Sequence, residues 1–149
     1  MKTNFRLIQP ADQKEVAQLM HRLYIEDPSD KPMTDEKIQR TLETLGNEPG
    51  RGNIMVIESE NIIVGYAILI NFWSNEFGGN LLNIDELYIK EEFRSRGIGS
   101  AFIRHLANSK FGNSVAIQLE VTPDNHRARR LYESLGFSQH KNMQLDLLI

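Results

Sequence analysis

The stretch Phe93-Arg94-Ser95-Arg96-Gly97-Ile98-Gly99-Ser100-Ala101-Phe102 (FRSRGIGSAF) follows the apolar run LLNIDELYI, residues 81–89. It leads into a segment whose apolar residues recur at Ile98, Ala101, Phe102 and Leu106. That sequence of patterns predicts a strand, a glycine-bearing turn and a helix. Such a turn points the unpaired N–H groups of the helix's first turn to one side, with the positive end of the helix dipole behind them, and so suits an anion. Gly97 and Gly99 also permit left-handed backbone and close approach of a ligand. The dinucleotide fingerprint G-x-G-x-x-G fits poorly, because its third glycine would fall on Phe102, and no Lys follows either glycine, which excludes a P-loop. A purely structural turn is the competing reading at this point.

The neighbouring segments give the turn a context. NFRLIQ reads as a first strand, and Asp12 opens a helix with the stripe Val16, Leu19, Met20 and Leu23. After EDPSDKP, Thr34 is an N-cap candidate for a second helix, with Asp35 and Glu36 in its first turn, a stripe of Ile38, Leu42 and Leu45, and a stop at Gly46. NIMVIES and IIVGYAILINFW are strand-like and are joined by a hairpin turn at Glu58–Asn61; NEFGGN is the next loop. Beyond the glycine turn, SVAIQLEV predicts a strand. Ala128, Leu131, Tyr132 and Leu135 form a last helical stripe closed by Gly136, and MQLDLLI predicts a final strand. The order is βααβββαβαβ, an α/β chain with a mixed sheet covered by helices and no linker or internal repeat, hence a single domain over residues 1–149.

Composition narrows the function. The 149 residues are 40% hydrophobic and 25% charged, with a formal net charge of -3, which suits one globular domain and argues against a protein built to grip nucleic acid. No residue is cysteine, so disulfides, thiolate metal sites and a cysteine nucleophile are excluded. The four histidines, at 21, 105, 126 and 140, show no metal-ligand spacing, so no metal is expected. No apolar run reaches membrane-spanning length, and a cytoplasmic protein is the default expectation.

Arg94-Ser95-Arg96-Gly97-Ile98-Gly99 matches the R/Q-x-x-G-x-G/A pattern of the GNAT superfamily of acyl-CoA N-acyltransferases, and LEVTPDNHRARRLYESLGF resembles that family's following strand and its N-x-x-A-x-x-L-Y-E-x-x-G-F helix. The two motifs stand in the family's order, and βααβββαβαβ is the family's element order, with a mostly antiparallel mixed sheet. The resemblance implies acetyl-CoA as donor, its pyrophosphate held by the backbone of Arg96, Gly97, Ile98, Gly99 and Ser100, with Arg94 and Ser95 leading into the turn. It implies that the strand Asp85–Ile89, including Leu87 and Tyr88, pairs with the pantetheine arm and splays from the next strand, and that an N–H near Ile89 meets the developing oxyanion. Asn125 would contact the arm while also capping its helix. Arg127, Arg129 and Arg130 form a basic cluster, of which Arg129 is assigned to the cofactor.

Acetyl transfer needs a neutral amine and a proton for the leaving thiolate. The resemblance gives the acid role to Tyr132, although spacing alone puts it on an apolar stripe. Three carboxylates are candidate bases. Asp85 and Glu86 are adjacent on a strand and so are expected on opposite faces; Glu120 is expected opposite Leu119 and Val121. The family's acceptor side would here offer Tyr24, Glu26 and Asp27, with Trp73 and Glu76 from the loop before the central strand. Acidic and aromatic side chains together suit a small cationic amine or a protein or peptide amine. A non-catalytic acyl-CoA-binding sensor or interaction module is the alternative, and a homodimer is compatible with the family.

Overall fold

The computed structural model describes all residues, Met1–Ile149. Five strands form one sheet in the order β1 (Thr3–Leu7), β2 (Gly52–Ser59), β3 (Ile62–Ser74), β4 (Gly79–Ile89), β5 (Ser114–Leu119). The first three pairings are antiparallel and β4–β5 is parallel, so the sheet is mixed and mostly antiparallel. The helices are α1 (Gln13–Glu26), α2 (Asp35–Asn47), α3 (Ile98–Ser109) and α4 (His126–Ser134). None is long and apolar enough to cross a membrane.

Alternation along the strands divides the core between the two faces. Ile54 and Val56 of β2, with Tyr66 and Ile68 of β3, meet the stripes of α1 and α2: Val16, Leu19, Met20, Ile38, Leu42 and Leu45. Met55 and Ile57, with Val64, Ala67 and Leu69, meet Ile98, Phe102, Ile103 and Leu106 of α3 on the other face. Tyr132, Leu135 and Phe137, at and beyond α4, pack against this second cluster. The result is helix, sheet, helix in three layers.

Local signals act where the sequence placed them. The Thr34 hydroxyl accepts from the Lys37 N–H and the Asn125 carbonyl from the Ala128 N–H, so both residues cap their helices. The β2–β3 connection is two residues, Glu60 and Asn61, both left-handed at φ 51° and 64°, as a type I′ hairpin requires. Two expectations need correction. The alternating tail Met143–Ile149 forms no strand: it pairs with nothing, and Met143, Leu145 and Leu147 are each at least 85% exposed. Alternation specifies a strand only where one face is covered, so the order ends at α4, as βααβββαβα. The second correction concerns β4, whose register against β3 shifts so that Ile68 faces Glu86 while Leu69 faces Ile84. Asp85 is the extra residue of a bulge, and strict alternation fails there.

Candidate active site

The parallel pairing of β4 with β5 runs only from Asn80/Ser114 to Ile84/Leu119. Beyond it β5 stops, the chain turns away at Glu120, and the edge of β4 from Asp85 to Ile89 is left without a strand partner on that side. A cleft of about 1020 Å³ fills this fork. Its walls are β4, the C-terminal end of α1, the first turn of α3 and the start of α4.

At one end lies the glycine turn. Ser95 and Gly97 both take left-handed backbone, φ 62° and 77°, with ordinary residues between and beside them, a pattern that curves successive N–H groups into a concave nest. Gly97 offers no side-chain cap, and the first helical bond of α3 is Ala101 N–H to Gly97 O at 2.9 Å, so the first-turn amides lie ahead of the helical ladder. Gly97, Ile98, Gly99 and Ser100 all line the cleft. Arg127 Nη2 donates to Ser95 Oγ at 2.9 Å, tying α4 to the turn and setting a cation at the nest. The nest, the cation and the open β4 edge fit the pyrophosphate and the amide-bearing arm of coenzyme A.

Arg94 is half-buried and fully engaged. Its Nε donates to Ile89 O at 2.8 Å, its Nη2 donates to Glu26, and its guanidinium stands 5.3 Å from the centre of the Tyr88 ring. Tyr88 also donates to Glu26, at 2.9 Å. The first residue of the R-x-x-G-x-G motif therefore buckles the end of α1 to β4.

The centre of the cleft holds the carboxylates. Glu86 accepts from Tyr24 of α1 at Oε1 and from Tyr66 of β3 at Oε2, both at 2.7 Å. Burial pushes the Glu86 carboxyl up from its ordinary value, the two phenol donors pull it partly back, and Asp85 adds to the rise. The expected opposition of Asp85 and Glu86 does not hold. Ile84 and Leu87, three residues apart, pack against the same core cluster, and the bulge accommodates both acids in the interval. Asp85 makes no side-chain hydrogen bond; the surrounding protein raises its carboxyl, but its exposed surface leaves most of that effect to be screened by water. Glu120 lies beyond the end of β5, exposed on the cleft wall, so strand alternation does not govern its direction.

Tyr132 belongs to the core and to the cleft at once. Its ring packs 5.7 Å from that of Phe137 and against the core, while the residue lines the cleft and its hydroxyl has no protein partner. Burial raises the phenol, which keeps it a proton donor. Asn125 lines the same wall.

Several predicted site residues fall elsewhere. Trp73 pairs with Asn80 at the far end of the β3–β4 ribbon, and neither it nor Glu76 lines the cleft. At about 3.3 Å per residue, Asn80 is roughly 20 Å along the strand from Glu86. Arg96 turns onto the Phe93 ring and Arg129 toward Glu133, 3.9 Å away; both stand outside the lining. Tyr24, Glu26 and Asp27 do line it. Two residues of the cleft region were not singled out from the sequence: Arg127, named there only within a basic cluster from which Arg129 was chosen, and Tyr66, which lies unremarked in the run IIVGYAILINFW. Tyr66 pairs with Tyr88 across β3 and β4, a register seen only in the structure, and this sets Tyr66 on the face of Glu86.

Comparison with known proteins agrees with this geometry. Thialysine N-epsilon-acetyltransferase of Bos taurus is 33% identical over 75 residues, which are 50% of this chain and 44% of that protein, so the chain spans about half the length of this curated relative. A possible acetyltransferase from Clostridium difficile 630 superposes with a TM-score of 0.85 at 22% identity, covering 100% of this chain and 99% of that one. The structure of AAC(6′)-Iy, in complex with the bisubstrate analog CoA-S-monomethyl-acetylneamine, superposes with a TM-score of 0.80 at 13% identity, covering 100% and 99%. Both likenesses show the fold. Residues 14–137, from α1 to just past α4, match the acetyltransferase (GNAT) family, and the chain belongs to that family.

Proposed function

We propose that this protein is an N-acetyltransferase that moves an acetyl group from acetyl-CoA directly to the amine of a small cationic acceptor, in a ternary complex. The observation that carries the reading is the fork between β4 and β5, with an anion nest at one end and two carboxylates and an unpartnered phenol along its walls. Bound acetyl-CoA supplies the activated thioester carbonyl. The first-turn amides of α3 and Arg127 hold the pyrophosphate, and the free edge of β4 from Asp85 to Ile89 aligns the arm by backbone hydrogen bonds. A backbone N–H near Ile89 would stabilise the developing oxyanion. Glu86, raised by burial toward neutrality, accepts a proton from the acceptor ammonium, directly or through water, with Asp85 beside it. Tyr132 donates its phenolic proton to the departing sulfur, whose ordinary pKa near ~8.5 makes that help modest.

The acceptor class follows from charge. Glu26, Asp27, Asp85, Glu86 and Glu120 line the cleft, with Glu26 already paired to Arg94, leaving an excess of negative charge opposite the nest. The bovine relative acts, by its name, on an ε-amine, and the analog in the AAC(6′)-Iy complex joins CoA to acetylneamine; both are consistent with an amine acceptor.

The deciding experiment is an amine-panel assay with acetyl-CoA, reading thiol release and product mass. Acetylation of at least one diamine or amino acid ε-amine is expected, and Tyr132→Phe should lower kcat by roughly tenfold to hundredfold while CoA affinity stays within twofold. Tight CoA binding with no amine acetylated would favour the acyl-CoA-binding module instead.

A further inference from the structure

The Glu86 carboxylate is held on both oxygens by protein, which is more than a solvated strand residue needs. Tyr24 Oη is 2.7 Å from Oε1 and Tyr66 Oη is 2.7 Å from Oε2. The two phenols come from different layers, Tyr24 from α1 and Tyr66 from β3, so the carboxylate is clamped between helix and sheet. Tyr66 is fully buried, and its ring lies 6.3 Å from that of Tyr88. Tyr24 is half-buried and also lines a smaller hollow of about 290 Å³ beneath the α1–α2 loop.

We infer that Tyr24 and Tyr66 are positioning residues: their O–H groups fix the orientation of the Glu86 carboxylate in the cleft and favour its ionised form, the form that can accept a proton from the acceptor amine. This rests on the reading of Glu86 as base given above.

The donors cannot exchange roles with the acceptor. Burial, then the bond to Glu86, raises Tyr24; burial and the charge of Glu86 raise Tyr66 still further, so both phenols stay protonated throughout the working range. Every proton in the trio therefore sits on a phenol or arrives from outside, and Glu86 is the one group free to take it. Each oxygen keeps a second lone pair for the acceptor or a water. The other charges near this trio act in one direction. Asp85 of β4 and Asp27 at the end of α1 are negative, and Glu120 faces from the opposite wall. Arg94, a cation lining the same cleft, is taken by Glu26, to which Tyr88 also donates. Burial and the charge of Asp85 both favour the protonated form of Glu86. The two phenols oppose that outcome.

The test uses the free, full-length enzyme with carbon-13 at glutamate side-chain carboxyls, followed by NMR against pH. Glu86→Gln identifies the Glu86 resonance by its loss. Removing one charge-assisted hydrogen bond without changing the ring should strengthen proton binding by about tenfold, so Tyr24→Phe and Tyr66→Phe should each raise the midpoint by roughly one pH unit. The acid limb of kcat/KM should move by the same amount and in the same direction. Should Tyr66→Phe fail to fold, Tyr24→Phe carries the test, because Tyr24 stands at the cleft wall. A midpoint that does not move in Tyr24→Phe overturns the clamp. A midpoint that moves while the acid limb stays upholds the clamp and removes Glu86 as the base of the proposed reaction. The NMR result decides the clamp even if no amine is acetylated.

Discussion

Gly97 and Gly99 stand two residues apart in one turn, yet the protein asks different things of them. Gly97 has φ 77°, and a Cβ added there would meet nothing within 4 Å. Its need for glycine is conformational, and Gly97→Ala should cost about 1 kcal/mol of stability through the left-handed backbone alone. Gly99 lies inside α3 with ordinary helical backbone, and a Cβ there would sit 3.6 Å from Leu131 Cδ2, an ordinary contact. The fold therefore admits alanine at 99, which is the better helix former by about 1 kcal/mol. Gly99→Ala should keep or raise the urea midpoint while weakening CoA in calorimetry, because the added bulk stands at the mouth of the nest. Gly97→Ala should lose both stability and affinity. Unchanged CoA affinity in Gly99→Ala would remove close approach from the account of the turn. Ser95 accepts the same left-handed strain at φ 62° without being glycine, and the bond from Arg127 helps to hold it there.

Elements were legible where periodicity and turn chemistry agreed, as in the capped helices and the Glu60–Asn61 hairpin. They were not legible where one residue breaks the period. The bulge at Asp85 leaves no mark in LLNIDELYI, because an inserted residue in a strand looks like any other, and it alone decides that Asp85 and Glu86 share the cleft. The tail failed for the opposite reason: Met143–Ile149 carries the strand period but lacks a partner. Strand β2 contains a separate anomaly beside its hairpin. Ser59 is 1% exposed, and its Oγ has no hydrogen-bond partner. A buried orphan hydroxyl costs more than it returns, so Ser59→Ala should stabilise the protein by up to about 1 kcal/mol. In a chain of this size that corresponds to a rise of about 2–4 °C in Tm. A fall in Tm would mean that the hydroxyl is satisfied, by a bound water for example.

At the scale of the molecule, two groups of carboxylates answer acid in opposite senses. Arg6 of β1 bridges Asp12, at the entry to α1, and Glu58 of β2, with closest contacts of 2.7 Å to each. Bonding to Arg6 is the chief cause that lowers both carboxyls from their ordinary values. Their folded-state pKa values lie below the unfolded ones, so they contribute stability above about pH 4–4.5 that is lost as pH falls through the folded values. Glu86 works the other way: raised in the folded state, its contribution is fully present below its unfolded pKa and is lost as pH rises through the folded value. The buried Glu86 carboxylate is thus a burden at neutral pH, offset by a structural cluster on a different part of the sheet. Asp12 is only 7% exposed, but it lies near the molecular boundary, so solvent screens its pairing with Arg6. Asp12→Asn should lower stability at pH 7 by roughly 1–2 kcal/mol, and the deficit should shrink as pH falls through the lowered folded-state value of the Asp12 carboxyl. Glu86→Gln should show the reverse trend, gaining relative to wild type as pH rises. Urea unfolding of the three proteins between pH 3 and 7 measures both slopes. A deficit for Asp12→Asn that is the same at every pH would mean that packing at Asp12, rather than its charge on Arg6, holds β1, β2 and α1 together.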